Sequence, residues 1–104
     1  RLLGRKTVEL MTVNHVPLHL FPLTIVTPMH GYGFGLGFSP IMDITQTGLL
    51  GSNGNYGWSG MADTHFWIDP QENLIGIVLH QYIPDDAYPI NHDFINGVYQ
   101  AIIA

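Results

Sequence analysis

The sequence has no cysteine and very little charge. Without thiols it can form neither a disulfide framework nor a zinc site with thiolate ligands. Charged residues make up 11% of its 104 residues and hydrophobic residues 46%, whereas roughly a quarter of an ordinary soluble domain is charged. Since a free-standing domain covers its surface largely with charged side chains, we expect other protein to cover much of this one. A chain of this length that opens on Arg1 is expected to be one domain at most, or a segment of one.

Positive charge is missing from nearly the whole chain. The cations Arg1, Arg5 and Lys6 all lie at the start, and residues 7–104 contain eight acids but no Lys or Arg. Nucleic-acid backbones are bound by clustered Lys and Arg, so this distribution argues against nucleic-acid binding and against a polybasic membrane-surface role. Prolines within residues 17–28 interrupt the most hydrophobic region, and no apolar run reaches the ~18 residues that a membrane span needs.

The first half of the chain predicts a helix, a loop and a strand. Gly4 can cap a helix over Arg5–Asn14. Prolines and the lack of a steady period predict a surface loop over residues 15–31. From Gly31 to Phe38, glycines alternate with larger apolar residues, which predicts a strand with one bare face that another segment approaches closely. Residues 47–57 are rich in turn formers.

The second half predicts a hairpin and a closing helix. Thr64–Asp69 and Leu74–Tyr82 are interpreted as two strands joined by a tight Asp-Pro turn. The continuous apolar run Leu74–Leu79 predicts a central strand covered on both faces. A loop over residues 84–89 leads to an amphipathic helix over 91–103. This order predicts an α+β fold, an antiparallel sheet of three to four strands with flanking N- and C-terminal helices.

No self-contained catalytic motif is recognisable in the sequence. The serines Ser39, Ser52 and Ser59 lie neither in G-x-S-x-G nor at the start of S-x-x-K, and the only lysine is Lys6. The strict alternation of glycines predicts a strand, not a phosphate-binding turn. We therefore expect this chain alone to be catalytically inactive.

The six histidines do not predict a metal site. His15 and His19 have the spacing of helical ligands, but Pro17 between them breaks the helix. We expect no metal and no other cofactor. His80, in an apolar strand, is predicted to be a hydrogen-bonded core residue, and Trp67 a core aromatic.

Taken in order, several segments resemble one known family. The chain resembles the C-terminal quarter of the serine hydrolases related to class C β-lactamases, penicillin-binding proteins and the esterases of that superfamily. The order and spacing of the segments carry this resemblance, since no single short motif is specific. The segments are the helix at 6–11 with Asn14-His15, the glycine run 31–38, the segment Tyr56–Gly60, and the hairpin 66–78. The resemblance implies that residues 1–104 are the C-terminal segment of a single β-lactamase-like α/β domain, not a complete domain.

The resemblance also implies acyl transfer through a serine ester. The family's catalytic Ser and Lys lie upstream of the matched region, so the upstream part of the same protein is the implied partner. Trp58, Ser59 and Gly60 take the three places of the family's third motif, usually Lys-Thr-Gly, and Met61 follows them. Because Trp58 supplies no ammonium for a substrate carboxylate, a small ester, amide or peptide is favoured as substrate over a β-lactam.

The third motif assigns expected roles to five residues. Gly60 leaves room for an acyl group near the backbone, and the backbone N–H of Met61 is expected to donate to the oxyanion. Trp58, Ser59, Gly60 and Tyr56 are the expected substrate-binding residues. Ser59 departs from the family, in which relatives often have Gly at this place.

Two other functions stay open at this stage. The chain is alternatively a non-catalytic module that stacks a sugar or peptide on Trp58, Tyr56 and Tyr32. It is otherwise a degenerate relative that keeps the scaffold for association only. The motifs upstream of residue 1 would discriminate among the three.

Overall fold

The computed structural model describes residues 2–25, 27–83 and 89–103. Helix α1 spans Arg5–Met11 and helix α2 spans Ile90–Gln100. Two short strands, β1 (Leu23–Thr24) and β2 (Pro28–Met29), pair with each other within the region predicted as a loop. Residues 84–88 of the second predicted loop lie outside the described residues.

The main sheet is a four-stranded antiparallel meander. Its strands follow the chain order, β3 (Ser39–Pro40), β4 (Tyr56–Ser59), β5 (His65–Asp69) and β6 (Leu74–Val78). Each strand pairs with the next one along the chain. The α+β fold, the antiparallel sheet and the flanking helices are therefore confirmed, and so is the predicted hairpin, which is formed by β5 and β6.

The two faces of the sheet have different surroundings. Since side chains alternate along a strand, one face carries Trp67 and Asp69 and packs against α2, and we call it the helix face. Trp67 is 3% exposed and contacts Phe94 and Tyr99 of α2. The opposite face, which we call the open face, carries Phe66 and its cross-strand neighbours. The core of the described residues therefore lies between α2 and the helix face, and the predicted core role of Trp67 is confirmed.

Helix α1 is three residues shorter than predicted. It ends at Met11, where the Thr12 hydroxyl donates to the carbonyl oxygen of Val8. The side chain of Asn14 accepts hydrogen bonds from the backbone N–H groups of Val16 and Phe34. Asn14 thus joins the following loop to a segment twenty residues away and does not extend the helix.

The predicted strand over 31–38 is wrong. Within it, Tyr32 forms only an isolated bridge with Ile41, and the Gly35 N–H donates to the Phe38 carbonyl, so that the chain turns back. Gly37 in this turn has φ of +99°, a conformation that favours glycine. The close approach to the bare face is confirmed, because a Cβ on Gly35 would collide with the backbone carbonyls of Met11, at the end of α1, and of Val13.

The prediction of a central strand at Leu74–Leu79 is also wrong. Among the described residues β6 is an edge strand, with Ile75 and Ile77 on the open face at 65% and 57% exposure. Only the side chains that alternate with them face α2. The apolar run therefore forms two faces. One face packs against α2, and no described residue covers the other.

Candidate functional site

A cavity of about 590 Å³ lies on the helix face of the sheet. Its floor includes Gly57, Ser59 and Trp67, its wall on one side is the start of α2, and the β1–β2 region lines the other side. Gly57 has to be a glycine because a Cβ there would collide with the backbone of β5. The absence of a side chain brings β4 and β5 together under the cavity.

Four of the five residues predicted for the site border this cavity. They are Trp58, Ser59, Gly60 and Met61. Strand alternation turns the Trp58 indole towards the open face, where it packs edge-on against Phe34 at a centroid distance of 5.1 Å. Tyr56 is not a lining residue, and its ring packs against Phe38 at 5.2 Å. The structure thus brings Ser59, Gly60 and Met61 together at the end of β4 and places the ring of Tyr56 away from them.

The turn of residues 60–64 connects β4 to β5 and carries Met61. The Gly60 N–H donates to the Thr64 carbonyl at 3.0 Å, and the Asp63 N–H donates to the Gly60 carbonyl at 3.1 Å. Met61 is 76% exposed, and its backbone N–H donates to no acceptor among the described residues. A Cβ on Gly60 would lie 2.6 Å from the Thr64 hydroxyl oxygen. Close packing in the turn therefore also explains why this position is a glycine.

A buried carboxylate behind the cavity holds α2 to the sheet. Asp69 is fully buried and accepts hydrogen bonds from the hydroxyls of Ser52 (2.7 Å) and Tyr99 (2.6 Å). The Tyr99 oxygen in turn accepts from the Trp67 indole N–H and the Asn55 amide, both at 3.0 Å. Burial, and then the bond to Asp69, raise the pKa of the Tyr99 hydroxyl far above its usual 10. The sequence pattern predicted only the amphipathic helix over 91–103 that contains Tyr99, and none of these hydrogen bonds.

A second buried carboxylate lies in the turn that carries Met61. Asp63 is 2% exposed, and its carboxylate accepts from the Asn91 amide at 3.0 Å and lies 3.3 Å from Nε2 of His80. The same Nε2 lies 3.1 Å from Oδ1 of Asn91. The prediction that His80 is hydrogen-bonded is confirmed, but it lies after β6 and its side chain is 21% exposed, so it is not a core residue of a strand. Asp63 and Asn91 were not predicted, because nothing in the sequence relates positions 28 residues apart.

The cavity is poor in charge. No Lys or Arg lines it within the described chain, and Arg5 and Lys6 both pair with Glu9 on α1, at 2.8 Å. His30, His65 and His92 are its titratable lining residues besides Tyr32 and Asp63. The described residues contain no group of three or more side chains that could hold a metal ion. No helix in the described part of the chain is long and apolar enough to cross a membrane.

Comparison with known proteins shows which solved structures have a similar fold. The sequence matches no protein-family model and no curated protein. Solved structures match it, among them EstCE1, described as a hydrolase with promiscuous acyltransferase activity, with a TM-score of 0.76 and 24% sequence identity. The match covers 93% of this chain but 24% of EstCE1, so this chain spans about a quarter of that protein's length. The chain therefore shares its fold with part of a hydrolase.

Proposed function

We propose that this chain is the C-terminal segment of a serine hydrolase related to class C β-lactamases and their esterase relatives. The observation that carries the proposal is the cavity bordered by Trp58, Ser59, Gly60 and Met61, in a fold shared with part of a hydrolase. By resemblance to that family, Trp58, Ser59 and Gly60 take the three places of the third motif, and Met61 directly follows them. Their common position at one cavity supports a substrate-binding wall at this place.

In the proposed reaction this chain supplies binding and an oxyanion donor. A serine of the upstream part attacks the carbonyl carbon of the substrate, its proton passes to a base, and the carbonyl oxygen becomes negative. The backbone N–H of Met61 donates to that oxygen, and the alcohol or amine then leaves with a proton. Within this chain, Ser39 and Ser52 donate their hydroxyls to Gly33 and Asp69, which supports a nucleophile that lies elsewhere.

The low charge of the cavity favours a neutral substrate. A true β-lactamase needs a cation for the substrate carboxylate, whereas no Lys or Arg lines the described part of this cavity. We infer an esterase, amidase or peptidase activity. The stacking module has less support, because the rings of Tyr56 and Trp58 pack against Phe38 and Phe34.

Labelling with a fluorophosphonate probe tests this function. The complete protein of this reading frame should be labelled at one serine upstream of residue 1, and residues 1–104 alone should stay unlabelled. Labelling of Ser39, Ser52 or Ser59, or no labelling of the complete protein, would contradict the proposal.

The oxyanion donor can be tested separately in the complete protein. Met61→Ala keeps the backbone N–H and should acylate an ester at close to the wild-type rate. Met61→Pro removes the N–H and should lower the acylation rate by about a hundredfold or more, with circular dichroism to show that the variant is folded. Equal rates for the two folded variants would show that Met61 is not the donor.

A further inference from the structure

The tip of the turn that carries Met61 has few local bonds of its own. Its two internal backbone hydrogen bonds join Gly60 to Thr64 and to Asp63, and so close the base of the turn. Met61 and Ala62 lie between these residues. A catalytic N–H has to keep one orientation, because a displaced donor loses most of its effect on the transition state. The orientation of this tip therefore depends on contacts with other elements.

Asp63 has an unusual backbone conformation for its residue type. Its φ of +75° is left-handed, which Gly or Asn adopts more easily than most residues. Burying a carboxylate also costs free energy unless it is well paired. Neither the conformation of the turn nor the burial of this side chain favours an acid at position 63. The contacts of the carboxylate therefore explain why this residue is Asp63.

Those contacts come from two separate elements. Asn91 lies in the first turn of α2, is buried, and donates its amide to Asp63. His80 follows β6, and its Nε2 faces both the Asp63 carboxylate and Oδ1 of Asn91. Since both neighbours are acceptors, Nε2 carries the hydrogen. The Tyr82 N–H also donates to the Ala62 carbonyl at 2.9 Å. The chain after β6 and the start of α2 thus hold the two residues that follow Met61.

We propose that Asp63, His80 and Asn91 are positioning residues that fix the turn of residues 60–64 and, with it, the backbone N–H of Met61. This inference rests on the proposed acyl-transfer function. None of the three touches the reacting atoms in this role. They act through the orientation of one donor, so their loss should lower kcat for acylation and leave KM within about threefold.

The first test uses His80 variants of the complete protein. His80→Leu removes the ring N–H that faces Asp63 and bonds Asn91, and it should lower kcat by roughly ten- to a hundredfold, the range expected for a misplaced catalytic group. His80→Gln can place an amide N–H near the same position and should recover most of that loss. Asp63→Asn keeps a residue that tolerates positive φ but removes the charge, and should lower kcat in the same direction. Thermal unfolding identifies any variant that fails to fold.

A double-mutant cycle separates positioning from general structural support. His80→Leu is combined with Met61→Ala, which keeps the N–H, and with Met61→Pro, which lacks it. With Met61→Ala, the His80 substitution should lower kcat by the full ten- to a hundredfold. With Met61→Pro, it should lower kcat by less than about threefold. An equal cost in both backgrounds would show that the cluster does not act through Met61, and would overturn the proposal.

Hydrogen exchange provides a readout that does not depend on activity. The backbone amides of Asp63 and Tyr82, which donate to the carbonyls of Gly60 and Ala62, should exchange about tenfold faster or more in His80→Leu than in the wild type of the complete protein. Unchanged exchange overturns the inference even if the protein is an active hydrolase. If the wild-type protein is folded but transfers no acyl group, the proposed function fails, and faster exchange would still establish that the cluster holds the turn.

Discussion

The Tyr99 hydroxyl bonds three polar groups, two of them in β5 and the third at Asn55, just before β4. Replacing Tyr99 with Phe leaves the Trp67 indole and the Asn55 amide without this acceptor and Asp69 without one donor. We expect Tyr99→Phe to lower the free energy of unfolding by about 2 kcal/mol, measured by urea unfolding. Tyr56→Phe is the matched control and should change it by less than about 0.5 kcal/mol. A similar small change for Tyr99→Phe would contradict the role given to this hydroxyl.

The same hydroxyl predicts how stability responds to alkaline pH. The pKa of Tyr99 is raised in the folded protein, first by burial and then by Asp69, so the folded state holds this proton more tightly than the unfolded state. Its contribution is therefore fully present below the unfolded value of about 10 and is lost as pH rises above it. The free energy of unfolding should fall above pH 10, and it should fall less steeply in Tyr99→Phe. Equal slopes for the two proteins would show that Tyr99 does not control this dependence.

At the scale of elements, the β5–β6 hairpin depends on one glycine. A Cβ on Gly76 would collide with the Trp67 ring from the paired position of the neighbouring strand. We expect Gly76→Ala to destabilise the protein by about 3 kcal/mol, because Trp67 is a core residue that cannot move without opening α2.

Gly97 in α2 is the matched control for this substitution. A Cβ there meets no described atom within 4 Å, and Ala is favoured over Gly inside a helix by about 0.5–1 kcal/mol. Gly97→Ala should therefore raise the midpoint of urea unfolding, whereas Gly76→Ala should lower it. The same direction for both would show that glycine content, and not the Trp67 contact, determines the result.

Elements were predictable from the sequence where their partners are close along the chain. The β5–β6 hairpin has alternation and turn residues within one short segment, so Thr64–Asp69 and the start of the second strand were found. The glycine run 31–38 has the strand period, but its hydrogen bonds go to Pro40, Phe38 and the end of α1, and no local pattern shows this. The cluster of Asp63, His80 and Asn91 was missed for the same reason. The assignment of Trp58, Ser59 and Gly60 to a third motif rests on resemblance alone.

At the scale of the whole molecule, the open face of β6 is an apolar surface on an exposed sheet edge. Ile75 and Ile77 lie on it, and exposed apolar edge strands favour association with other chains. We expect residues 1–104 alone to self-associate in sedimentation experiments. The double substitution of Ile75→Lys with Ile77→Lys should reduce this association.

Val13→Lys is the control for that experiment. Val13 is also exposed, but it lies after α1 and outside the sheet, so it should leave the association unchanged. A compact monomer of 11.6 kDa at all concentrations would contradict the prediction, and so would an equal effect of the two lysine variants.

The meander order of the sheet has a consequence for the rate at which the molecule assembles. Each strand pairs with its neighbour in the chain, and the short connections between β4 and β5 and between β5 and β6 close quickly. Tyr99 and Asn91, by contrast, bond Asn55, Asp63 and Asp69, which lie 28 to 44 positions away, so we expect the docking of α2 onto the sheet to be the slow, late event. We expect its reversal to be the first opening of the native state, in which water reaches the Trp67 ring while the strands remain paired.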